Sequence, residues 1–174
     1  MYYFSRKNWV RMESPQFALR VLGALQWHRS SRKYSRALHA LRQIAPATLV
    51  DVTGISLVDS VVLGSYRHGT SFVLELHGST LAGGDERVHG ARVQLVLANA
   101  QVQEAPPKGA WVVQEEWSVA EVGGEGRAPR FRLTALCTRG QLALECDDAE
   151  LLISEAGPQS QVVPRAAVGQ ERTA

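Results

Sequence analysis

The sequence predicts an α+β fold: an N-terminal helical segment packed on an antiparallel β-sheet or sandwich, with a disordered C-terminal tail. Three observations predict it. Apolar residues follow helical spacing only in the N-terminal part, short alternating segments separated by Gly-containing turns begin at Leu49, and both patterns dissolve after Ile153. The resulting division is a helical head over 1–46, an antiparallel β domain over 49–154 and a flexible tail over 155–174. With 174 residues, 45% hydrophobic and 21% charged, the chain is neither disordered throughout nor collagen-like nor a coiled coil. A chain of this size buries roughly 70% of its unfolded surface and needs no staples.

Tyr2-Tyr3-Phe4 reads as a short strand, and Ser5 caps a helix running through Met12. Ser14-Pro15 restarts the chain, with proline suited to a first helical turn. Phe17 to Trp27 is apolar almost all round, which predicts a buried helix. Arg29 to Lys33 then form a polar corner. A second helix carries Tyr34, Leu38, Leu41 and Ala45 on one side and ends at Pro46. Its other side is basic, with Arg32, Arg36 and His39 flanked by Lys33 and Arg42.

The clearest hairpin joins Val61–Arg67 to Thr70–Leu76 through His68-Gly69, pairing Val61 with Leu76 and Leu63 with Leu74. Further strands are predicted near 91–97, 111–119, 131–137, 142–146 and 150–153. The turn between 131–137 and 142–146 bears on the two cysteines. Pairing Leu133 with Cys146 keeps apolar side chains on one face, and a one-residue slip would break that match. Cys137 then lies roughly 13 Å along the strand from the position opposite Cys146. A disulfide tolerates about 7 Å between Cα atoms, so two free, buried thiols are expected.

A net charge of +2 hides a split: residues 1–44 carry nine Lys/Arg and one acid, Glu13, whereas the remainder carries ten and sixteen. The charges favour a basic head docked on the acidic body, so that the two satisfy one another, over a head that meets a nucleic-acid or protein partner. Arg6, Lys7 and Arg11 ahead of an apolar run imitate a secretory signal, but Arg20 interrupts the run and Trp27-His28 replaces the small residues of a cleavage site. A cytoplasmic protein without membrane association is expected.

Little catalytic chemistry is legible. The five histidines make no metal-ligand spacing, and Gly83-Gly84 and Gly123-Gly124-x-Gly126 read as turns rather than phosphate loops. No cofactor and no metal are expected. Asp147-Asp148 with Glu150 reads as a solvated corner. Glu115 stands out, because alternation in Trp111–Val119 places it on an apolar face with Trp111, Val113 and Trp117. It is either a functional acid in an aromatic-walled pocket or part of a bulge at Glu115-Glu116 that swings it outward or onto an Arg.

Tyr3-Phe4-Ser5 with Trp9, Leu57-Val58-Asp59, Trp111 with Glu115-Glu116, and Phe131-Arg132-Leu133 together resemble a bacterial family of small α+β proteins of unknown function. That family opens on an aromatic-Phe-Ser/Thr-x-x-x-Trp stretch and carries Leu-x-Asp, Trp-x3-Glu-Glu and Phe-x-Leu segments. Its Leu-x-Asp usually has His in the middle, where this chain has Val58. The resemblance implies an orphan or immunity-type protein and assigns no reaction. The sequence therefore favours a non-enzymatic, immunity-like protein-interaction module. Its binding residues would be Arg29, Arg32, Lys33, Arg36 and Arg42 together with Trp111 and Trp117. A nucleic-acid-associated protein using the basic helix face is the first alternative, and a hydrolase or ligand pocket around Glu115 is the second.

Overall fold

A computed structural model describes residues 5–81, 85–124 and 127–154. The Tyr2–Phe4 strand, the Gly83-Gly84 pair, Gly126 and the tail over 155–174 lie outside these residues. The fold is α+β, with helices preceding two antiparallel sheets. Ser5 opens α1 (Arg6–Met12) by accepting a hydrogen bond from the Asn8 N–H at 3.3 Å, which satisfies one of the donors left over at a helix start.

The next helix corrects two expectations. Phe17–Arg42 is one continuous helix, α2, with no corner at 29–33. No Gly or Pro lies between Gly23 and Pro46, and polarity alone does not end a helix. Nor is its apolar half buried: Phe17 is 72% and Leu25 55% exposed, and the only buried residues of α2 are Gly23 and Leu41. Seven-residue α1 covers just the stripe containing Gly23. The approach is close, since a Cβ at Gly23 would lie 2.8 Å from the Met12 nitrogen and 3.0 Å from the Asn8 carbonyl oxygen. Arg11 Nη1 donates to Gln26 Oε1 at 3.0 Å across the same hairpin.

Pro46 introduces a further short helix, α3 (Ala47–Val52), unforeseen in the sequence. Its Thr48 hydroxyl donates to the Asp148 carboxylate at 2.6–2.7 Å.

The strands are β1 (Val61–His68), β2 (Ser71–His77), β3 (Arg92–Ala98), β4 (Gln101–Glu104), β5 (Val112–Glu121), β6 (Arg130–Cys137), β7 (Gln141–Cys146) and β8 (Asp148–Ser154). They form two four-stranded sheets in the orders β1-β2-β3-β8 and β4-β7-β6-β5. At one corner β3 leads into β4 and β7 into β8. Asp147 pins that corner through an ion pair with Arg130 at 3.2 Å and a hydrogen bond from Asn99 at 2.8 Å. At the other, Val61 bridges Trp111. The sheets therefore wrap round one core, to which α2 and α3 add Leu41, Leu49 and Val52.

Two registers differ from expectation. In β1–β2 a bulge between Val62 and Gly64 and a turn at Gly69-Thr70 pair Val62 with Leu76 and Ser65 with Leu74. Gly69 takes φ +60°, as a two-residue hairpin turn requires. In β6–β7, Leu133 pairs with Leu144 and Phe131 with Cys146. That slip of two residues keeps every side chain on its face, which is why apolar pattern alone could not choose between the two registers. Both thiols are free and buried.

Candidate functional site

The outward side of α2 is the first candidate surface. Phe17, Val21 and Leu25 recur at the four-residue interval that lines up helix side chains, and Arg29, Arg32 and Arg36 continue the line. The row is thus apolar over its first half and basic over its second. Arg29, Arg32, Lys33 and Arg36 are exposed, and among the described residues none has a hydrogen-bond or ion-pair partner. The basic side of the helix consequently does not dock on the acidic body. Arg42 behaves differently: its Nε donates to Thr53 Oγ1 at 2.9 Å and its Nη2 to the Thr53 carbonyl at 2.5 Å. It ties α2 to the end of α3 and is not part of the outward row.

Inside the sheets, β5 places Glu115. A bulge at Val113 lets Val112 pair with Cys137 and Gln114 with Leu136, after which Glu115, Trp117 and Val119 face Ala135, Leu133 and Phe131 on the core side. Glu115 therefore points inward, as alternation predicts, but the bulge lies before it and not at Glu115-Glu116. The expected aromatic wall does not form. Trp117 is buried in the core, whereas Trp111, next to core-facing Val112, projects to the opposite side. Glu115 Oε1 accepts the Leu57 N–H at 3.1 Å, and Oε2 is buried without a partner among the described residues. Burial raises its carboxyl from the ordinary 4.5 to about 7, with the Leu57 N–H opposing and the charge of Asp85 adding to the rise. Asp85 in turn accepts the Ser56 N–H at 3.0 Å. The arrangement can hold a proton beneath the 53–60 loop.

Sequence reasoning missed a third feature, a notch where the α1–α2 hairpin meets the start of β5. It has a volume of about 220 Å³ and is lined by Trp9 and Met12 of α1, its C-cap Glu13, Trp27 of α2, and Asp59 and Trp111 among others. The Trp111 side is rigid: its backbone N–H donates to Thr138 Oγ1 at 3.0 Å and its carbonyl accepts the Thr138 N–H at 2.9 Å. Asp59 is held at φ +62° with its N–H on the Val112 carbonyl at 2.8 Å. One clue lay in the sequence: Glu13 is the single acid of the first 44 residues. A smaller pocket of about 180 Å³ between Arg6 and buried Glu116 lies on the outer side of β5 and β6.

Among the described residues no group of three His, Cys, Asp or Glu could hold a metal ion, and no helix is long and apolar enough to cross a membrane. Neither a protein-family model, nor a curated protein, nor a solved structure matches the chain.

Proposed function

We propose that the chain is a non-enzymatic interaction module that docks a partner protein on the outward side of α2. The observation that carries this reading is the exposed row Phe17, Val21 and Leu25 leading into four basic side chains unpaired among the described residues. A contiguous exposed apolar patch is costly for a free protein and marks interaction sites. The complementary partner offers an apolar surface bordered by carboxylates. Phosphate recognition would employ the arginines but give the apolar row no role. A hydrolase reading rests on Glu115 alone, since its aromatic companions point to opposite sides of β5.

The test compares full-length protein with a Val21→Asp/Leu25→Asp variant and an Arg32→Glu/Arg36→Glu variant. A protein captured from the native host, identified and purified, should bind the wild type and lose affinity for both variants, the second effect shrinking at high salt. Equal binding by all three overturns the proposal. So does binding to duplex DNA or RNA that only the arginine variant abolishes, because the row would then serve phosphates.

A further inference from the structure

The notch between the helical hairpin and β5 gathers aromatic and acidic side chains. Three of the chain's four tryptophans line it, joined by the Met12 thioether. They come from three separate elements, and each is only partly buried. Trp9, Trp27 and Trp111 are therefore brought together by tertiary structure while keeping contact with water, which forgoes part of the benefit of burying such large rings.

Charge points the same way. The first 44 residues hold nine Lys and Arg and one acid, yet the acid, Glu13, lines the notch and none of the nine does. Asp59 supplies a second carboxylate. A pocket lined by three tryptophans and two carboxylates, with no Lys or Arg among the described lining residues, attracts a cation with an apolar skin. The ring faces present negative potential and the thioether is polarisable. A volume of about 220 Å³ suits a single head group, being smaller than the roughly 300–1,000 Å³ of drug-sized sites.

We propose that the Trp9–Trp27–Trp111 notch binds an alkylated ammonium group, with the indoles enclosing the alkyl shell and Glu13 and Asp59 supplying the counter-charge. Two sources share this chemistry, a free quaternary amine and a methylated lysine side chain. The notch lies apart from the outward row of α2, so it stands or falls independently of the docking proposed above.

The experiment titrates the full-length protein with choline, with a peptide carrying trimethyl-lysine, and with neutral dimethylbutanol, the carbon isostere of choline. Tryptophan fluorescence reads occupancy and a thermal melt confirms it. Both cations should saturate the response with affinity at least about tenfold above the neutral isostere. Tighter binding of the peptide than of choline identifies a protein-borne ligand, and the reverse order a free amine. Trp111→Ala should abolish the response. Exposed Glu13 caps α1 without a buried role, so Glu13→Lys should leave the melt in place and remove cation binding. Equal affinity for choline and dimethylbutanol, no saturable response to either cation, or undiminished cation binding by Glu13→Lys overturns the proposal.

Discussion

The Tyr34 hydroxyl accepts a hydrogen bond from the Trp117 backbone N–H at 2.9 Å, joining positions 83 residues apart. Among the described residues β5 is the last strand of its sheet, and the outward donors of an edge strand invite foreign pairing unless something covers them. Tyr34 provides such cover, and burial holds its phenol above the usual tyrosine range so that it stays uncharged. Tyr34→Phe leaves the Trp117 donor without this acceptor. It should lower unfolding free energy by about 1–2 kcal/mol in a denaturant titration, with faster hydrogen exchange at the Trp117 amide.

Gly23→Ala should destabilise the helical hairpin despite the better helix propensity of alanine, worth about 1 kcal/mol. The added methyl would meet backbone atoms of Asn8 and Met12 at 2.8–3.0 Å, and backbone cannot rotate away. Amide exchange measured by mass spectrometry should rise across α1 while the sheets keep their protection.

Glu115→Gln tests the buried carboxyl. A carboxyl lifted from 4.5 to about 7 by folding contributes stability that is complete below pH 4.5 and is lost as pH rises through 7. The amide does not titrate. Its advantage over wild type should therefore grow from pH 5 to pH 8 by about 2.5 kcal/mol, whatever constant offset the amide introduces. A difference in melting curves that is flat across this range contradicts a proton held by Glu115.

Val21→Asp/Leu25→Asp should change unfolding free energy by no more than about 0.5 kcal/mol per site, because both side chains already face water. A large loss in a denaturant titration would mean that the row is packed.

Cys137 and Cys146 should resist a thiol-specific reagent in the native protein and react fully once unfolded. Burial pushes their thiols up to about 11 and about 12, the second helped by Asp147 and Asp148, and the thiolate is the reactive species.

Alternation made the inward faces of β2, β3, β6 and β7 legible, because an apolar side chain recurs there at every second position. β4 escaped notice since Val102 is the one apolar residue in its four, too few to show an alternation. Glu115 was legible as an inward acid, while the bulge at Val113 that parts it from Trp111 depends on how β5 meets β6. Apolar content also misled: it predicted a buried Phe17–Trp27, but burial requires a covering element, and α1 is too short to supply one. The notch was hidden for a different reason, as Trp9 and Trp111 become neighbours only through the docking of the hairpin.

With 26 residues, α2 is about 39 Å long, and its C-terminal half is anchored by Tyr34 on β5, by Leu41 in the core and by Arg42 on the end of α3. Mechanically it is a cantilever, and α1 is the strut: seated against Gly23 at one end, it reaches the Thr138 carbonyl through Arg6 at the other. Load applied at Phe17 passes down this bracket into β5 and the loop after β6. Loosening the strut would alter the aim of the free end without changing a single residue on it.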